Sequence, residues 1–295
     1  MQPNPLFSVL IANYNNGKYL EEALQSVFAQ TYTNWEIILV DDASTDNSND
    51  IYQKYNNDSR IHIYYNGKNY GCGYTKHRCV ELANGEICGF LDPDDVLANE
   101  ALAKTVKTHC ENQSASLVYT DFYYCNHLLN TLEQSTPQTN IPQNTTYLEY
   151  GKGAVSQFAT FKKKKYLQTE GINPEFKRAV DQDLYFKLEE TGSFVYLPTK
   201  LYYYRTNTGN NLSLGINSKI ASLWHIIAAT DSCRRRNKDI ESIVLPYYDM
   251  YINSFVNSTK QHYNKLLADT YNSFSFKIGK LITFPYRLIK RIISK

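Results

Sequence analysis

Four short apolar runs recur along the first hundred residues, and a helical spacing follows each of them. They are FSVLIA (7–12), WEIILV (35–40), RIHIYY (60–65) and EICGFL (86–91). After the first, Leu20, Leu24, Val27 and Phe28 recur at the spacing of one helix face. A weaker helix is predicted over 46–56, with Asp46 as its N-cap. Another runs from about 74 to 83 and stops at NGE, where Gly85 fits a C-cap. A fourth covers about 99–110, and SLVYTDFYY (116–124) reads as a fifth strand.

Strands alternating with helices predict an α/β fold, a mostly parallel sheet with helices on both faces. The unbroken apolar character of IILV agrees, because such strands are buried on both sides. Residues 126–150, rich in Asn, Thr, Gln and Pro, break the pattern and read as a long loop. Beyond it come a strand in QFATFKK, a helix near 181–191, and strands in SFVYLP and KLYYYR. From 216 onward the pattern is helical. The expected organisation is a sheet domain over 1–215, divided near 125, with a helical extension over 216–295.

Composition narrows the function. The chain has 295 residues, is 42% hydrophobic and carries a formal charge of +2. That supports a core and leaves no general nucleic-acid footprint. The 26 tyrosines suit a binding surface. Six cysteines without a CxxC pair read as free thiols in a reducing compartment. The start lacks the basic and apolar regions of a signal peptide, and no apolar stretch is long enough to span a membrane. The expected location is therefore the cytoplasm.

In open α/β sheets, ligands bind outside the carboxyl ends of the strands. Here those ends read ANYNNG, DDASTD, NYGCG and DPDD. Turns and helix caps explain single polar residues, but Asp92, Asp94 and Asp95 crowd three carboxylates into four positions. A hard divalent cation relieves such a cluster, with oxygens from carboxylates, water and phosphate.

The segment SVLIANYNNGKYLEEALQSVFAQTYTNWEIILVDDASTDNS, then NYGCGYTKHRCVELANGEICGFLDPDD, resembles family 2 glycosyltransferases, which have the Rossmann-like GT-A fold. The likeness covers about 6–96 and resumes more weakly over 158–208. It implies that Ala12 and Tyr14 pack on a nucleotide base. It implies that Asp41 and Asp42 contact base or ribose, with Asp42 favoured for the base. It sets Gly71 and Arg78 beside a diphosphate, Asp92 on the ribose, Asp94 on Mn²⁺ or Mg²⁺, and Asp95 as a second carboxylate near that metal. Arg205, in YYYRTNTGNNLS, falls in a later family stretch and is assigned to the donor; Asn207 stands where relatives carry His. RAVDQDLYFKLEETG resembles the segment bearing the catalytic base, with Asp181 favoured and Asp183 second; Val180 replaces the usual Glu. A plainer reading makes Asp181 a helix N-cap, and both readings can hold together.

The expected reaction is inverting transfer of a sugar from a nucleotide-diphospho-sugar to a hydroxyl of a saccharide or lipid-linked acceptor, in surface polysaccharide or glycolipid synthesis. A non-catalytic sugar-nucleotide-binding protein is the main rival. A metal-dependent nucleotidyltransferase is weaker, because ANYNNGKYL offers a poor phosphate loop. The tail SFKIGKLITFPYRLIKRIISK (275–295) interleaves Ile, Leu and Phe with Lys and Arg and has no acidic residue. It reads as a basic amphipathic helix for peripheral contact with an anionic membrane.

Overall fold

A computed structural model describes residues 4–132, 140–150, 154–206 and 217–273. The elements run in the order β1 (Phe7–Asn13), α1 (Gly17–Phe28), β2 (Trp35–Asp41), α2 (Ser48–Tyr55), β3 (Ile61–Tyr65), α3 (Cys72–Leu82) and β4 (Ile87–Phe90). Next come β5 (Val96–Leu97), α4 (Ala101–Glu111), β6 (Ala115–Cys125), α5 (Tyr147–Tyr150), β7 (Ala159–Lys162), α6 (Lys163–Tyr166), α7 (Val180–Glu189) and β8 (Ser193–Arg205). Two long helices finish the described chain, α8 (Asn217–Arg235) and α9 (Ile240–Asn272). The chain divides into two compact units, Met1–Leu245 and Pro246–Lys295.

The first unit holds an eight-stranded sheet in the order β3-β2-β1-β4-β7-β6-β8-β5. β1, β2, β3 and β4 pair in parallel, as their apolar runs predict. β7 then enters antiparallel between β4 and β6. β8 returns parallel to β6, and the short β5, which periodicity did not single out, pairs antiparallel at the edge. SFVYLP and KLYYYR form one strand, with register shifts opposite Thr120 and Asp121 where the chain passes Pro198 and Thr199. Pro198 can donate no ladder hydrogen bond, so an irregularity there is expected.

Phe7, Val9 and Ile11 of β1 pack with Leu20, Leu24 and Val27 of α1 and Trp35, Ile37 and Leu39 of β2. Each such side chain, fully buried, contributes about 1.5–3 kcal/mol. Register sets the height of the strand ends. Asn13 lies beside Asp41, Asp41 beside Tyr65, and Leu10 beside Phe90. The polar sequences after these strands therefore emerge on one rim.

Two cap expectations are refined. Gly85 does not cap α3, which ends at Leu82 with Ala83 extended. It is a close-packing position, because a Cβ there would stand 2.5 Å from the Ser8 hydroxyl and 2.6 Å from its backbone nitrogen. Asp46 accepts the backbone N–H of Ser48 at 3.0 Å, as a cap would, and also that of Gly17 at 2.8 Å. One carboxylate thus serves the starts of both α1 and α2.

Candidate active site

A cleft of about 880 Å³ opens over the strand ends. Ala12, Tyr14, Asp42, Gly71, Asp92, Asp94 and Asp181 all line it, although up to 169 positions separate them in the chain. Ala12 and Tyr14, the residues expected to pack on a base, lie on the cleft wall, with Tyr14 44% exposed at the rim.

Asp42 is a buried hub. Its carboxylate accepts the Asn66 side-chain amide at 2.7 Å and the backbone N–H groups of Tyr70 and Gly71 at 2.9 and 2.8 Å. These bonds fold the β3–α3 loop back over the strand ends. Gly71 sits at φ 95°, in a region where L side chains are strained, and its small size leaves this wall open. Tyr70 and Tyr74 stack at 4.5 Å beside it.

The acidic DPDD turn splits by direction. Asp92 and Asp94 face the cleft. The Asp92 carboxylate accepts the Gln157 amide at 3.1 Å, and its backbone N–H donates to the Tyr202 hydroxyl at 3.1 Å. Asp95 corrects its expected place near a metal. It is buried behind the cleft, accepting the Arg205 backbone N–H at 2.6 Å and the Tyr202 hydroxyl at 2.8 Å. Burial pushes its carboxyl well above the usual carboxylate range, and Asp94 and Asp92 add to the rise. Turned away from the cleft and occupied by the Arg205 and Tyr202 donors, Asp95 is not placed to ligate a cation there.

Four further expectations are corrected by position. Asp41 is absent from the cleft wall; its oxygens accept the Tyr52 hydroxyl at 2.6 Å and the Ser44 N–H at 2.9 Å. Arg78 turns outward, donating to the Tyr65 carbonyl at 2.9 Å and to the Asn66 side-chain oxygen. Arg205 is 1% exposed and reaches back to Glu22, its guanidinium 4.4 Å from the centre of the Tyr19 ring. Asp183 is buried in an ion pair with Lys187 at 2.7 Å and also accepts the Asn173 N–H. It lies two residues from Asp181 and on a different face of α7. Asn207 and the 275–295 tail lie outside the described residues.

The residue that sequence reasoning passed over is Lys76. It lines the cleft, almost wholly buried, with its ammonium 2.9 Å from Asp181 and 3.4 Å from Asp92. It also lies 4.9 Å from the centre of the Phe90 ring. Burial alone would lower its pKa, but Asp181 and Asp92 hold the ammonium well above its ordinary value. A fixed positive charge therefore ties the turn after β4 to the start of α7. The signal was its helical spacing: Cys72, Lys76 and Val80 share a stripe of α3 that faces inward. Cys72 beside it is no thiolate nucleophile, since burial pushes its thiol up to about 11. Lys177, Arg178 and Trp224 complete the α7–α8 side.

Among the described residues no three His, Cys, Asp or Glu side chains converge as a metal cluster. Asp94 facing the cleft fits a cation that draws its other ligands from phosphate and water, as hard cations do.

The chain resembles known proteins in both sequence and shape. Residues 8–168 match the family model described as Glycosyl transferase family 2. Hyaluronan synthase of Pasteurella multocida is 28% identical over 243 residues, covering 79% of this chain and 23% of that protein. Chondroitin synthase of Escherichia coli is 31% identical over 211 residues, covering 71% and 30%. A putative teichuronic acid biosynthesis glycosyltransferase, TuaG of Bacillus subtilis, is 38% identical over 112 residues, covering 38% and 44%. The chain thus spans less than half the length of these relatives. In shape, S. aureus TarS 1–349 in complex with UDP-GlcNAc matches with a TM-score of 0.65 at 22% identity, covering 85% of this chain and 71% of that one. Mannosyltransferase PcManGT from Pyrobaculum calidifontis, in complex with GDP-Man and Mn²⁺, matches at 0.60 and 15% identity, covering 97% and 83%. These likenesses establish the GT-A glycosyltransferase fold, and with a family model spanning more than half of its residues the chain belongs to glycosyl transferase family 2.

Proposed function

We propose that the chain transfers a sugar from a nucleotide-diphospho-sugar to an acceptor hydroxyl with inversion, in the synthesis of a surface polysaccharide or glycolipid. The observation that carries this is the cleft itself, where Asp42, Asp92, Asp94 and Asp181 line one cavity. The names of the relatives support a polysaccharide product, and the donors held by the structural neighbours support a nucleotide sugar.

Asp181 acts as the base. One of its oxygens is tethered to Lys76, and the other can take the proton of an acceptor hydroxyl. As that hydroxyl oxygen forms its bond to the anomeric carbon, the carbon–oxygen bond to the diphosphate breaks, and the electron pair leaves with the nucleoside diphosphate. The transition state resembles an oxocarbenium ion. Asp92 orients the ribose, Tyr14 and Ala12 carry the base, and Asp42 shapes the loop that covers it. Mn²⁺ or Mg²⁺ held by Asp94 would supply Lewis acidity toward the leaving diphosphate. The acceptor is a saccharide or a lipid-linked saccharide. No helix among the described residues is long and apolar enough to cross a membrane. A cytoplasmic enzyme with 1–215 as its catalytic part, 216–295 as a helical extension and the basic 275–295 tail on the inner membrane face accommodates such an acceptor.

The test is calorimetric titration with UDP-GlcNAc and GDP-Man, with and without Mn²⁺. One of these donors is expected to bind in a Mn²⁺-dependent manner, and Asp94→Ala to remove that dependence. Equal wild-type affinity with and without Mn²⁺, or an undiminished Mn²⁺ dependence in Asp94→Ala, would refute the metal role. Release of nucleoside diphosphate separates this reading from a non-catalytic binder, in which Asp181 serves only as counter-ion to Lys76.

A further inference from the structure

The second unit presents a helix with an exposed apolar stripe. Within α9, Tyr248, Ile252, Val256, Tyr263 and Leu267 are between 41% and 62% exposed. At 100° per residue they fall in one arc, spread over about 30 Å of helix with Thr259 between Val256 and Tyr263. A stripe of this length on an exposed helix marks an interaction surface.

Charge decides what covers it. Residues 246–273 contain Asp249, Lys260, Lys265 and Asp269, two of each sign. This stretch therefore lacks the excess of Lys and Arg that an anionic lipid surface selects. Asp249 and Lys260 are both exposed and flank the same edge of the stripe, about three helical turns apart. At about 16 Å of rise between them, they cannot pair within one chain. Running a second α9 antiparallel against the first brings Asp249 of each copy to Lys260 of the other. The two-fold symmetry makes both pairs at once. The same register places Ile252 and Val256 of both copies at the centre of the contact. Antiparallel helices set the same edge of each partner side by side, so one edge carrying both charges suits this pairing.

We propose that α9 is a self-association surface, closing a two-fold dimer of this chain through its apolar stripe and reciprocal Asp249–Lys260 pairs. The contact is independent of the transferase reading. The experiment is sedimentation equilibrium of the full chain and of three charge variants. The wild type is expected to be a dimer. Asp249→Lys and Lys260→Asp each set like charges against one another at both pairs and weaken dimerisation by about tenfold. The doubly substituted chain, Asp249→Lys with Lys260→Asp, restores opposite charges and returns the dimer to within about threefold of wild type. Ile252→Asp gives a monomer with an unchanged circular dichroism spectrum. A wild type that is monomeric at every concentration overturns the proposal. A double variant as weak as the singles overturns it too. Monomeric protein recruited to phosphatidylglycerol vesicles, with Ile252→Asp released from them, would assign the stripe to lipid instead.

Discussion

The cleft face and the packed layer behind it carry aspartates side by side in the chain and employ them differently. Asp42, Asp94 and Asp181 look into the cleft. Asp41, Asp95 and Asp183, one or two residues away, look backward into hydroxyls, amides and a lysine. A carboxylate that lines the cleft is placed to meet substrate or metal. A carboxyl turned inward has to be satisfied by the protein, and each of these three is. The back row fixes the turns from which the front row projects. Substitutions in the front row should therefore cost activity, and substitutions in the back row should cost stability.

The comparison is sharpest on α7. Asp181→Asn should lower transfer by about 10²–10⁴-fold, the usual contribution of a positioned base, with a smaller fall in melting temperature than Asp183→Ala because Asp92 still faces the Lys76 ammonium at 3.4 Å. Asp183→Ala strands the buried Lys187 ammonium and should cost about 3–5 kcal/mol, read as a fall in melting temperature of roughly 10 °C. If Asp183→Ala instead removed activity at an unchanged melting temperature, the two rows would have exchanged roles. At the second strand end, Asp41→Ala leaves the Tyr52 hydroxyl and Ser44 N–H without their acceptor. It should cost about 1–3 kcal/mol in a urea titration and leave donor affinity intact.

The smallest effect concerns Asp95. Its folded pKa is raised, so the native state binds the proton more tightly than the unfolded chain does. Stability from this group is present below the ordinary carboxylate pKa of about 4 and is lost as pH rises toward the raised value. Asp95→Asn lacks this slope. Thermal melts from pH 4 to 8 should show the variant gaining on wild type as pH rises, and parallel curves would place a charged carboxylate there.

The strands of the donor side were legible because buried parallel strands have no polar face to confuse the pattern. FSVLIA, WEIILV and RIHIYY each lie within a residue or so of an observed strand. The location of the site followed, since four polar strand ends had to meet. The direction of each aspartate did not follow. Side-chain alternation holds along a strand and lapses at its end, where Asp94 and Asp95 sit. Asp95 is turned inward by Tyr202 and Arg205, more than a hundred residues away in sequence. Resemblance set Arg78 beside a diphosphate and assigned Arg205 to the donor, but Tyr65 and Asn66 occupy the first and Glu22, far away in the chain, the second. Lys76 was hidden for the opposite reason: a lysine on a helix reads as solvated until its neighbours are known to be buried.

The antiparallel β7 bears on how this scaffold could be re-engineered. It is threaded between β4 and β6, so the sheet that carries the donor wall is completed by chain from beyond residue 150. A fragment cut after β6 would strip β4 of one neighbour, β6 of both and β5 of its only one, and such raw edges recruit other chains. The chain beyond β6 is accordingly not an exchangeable module grafted onto a self-sufficient sheet. A chimera made to alter acceptor choice would have to keep β7 with its host sheet and exchange only segments C-terminal to that strand.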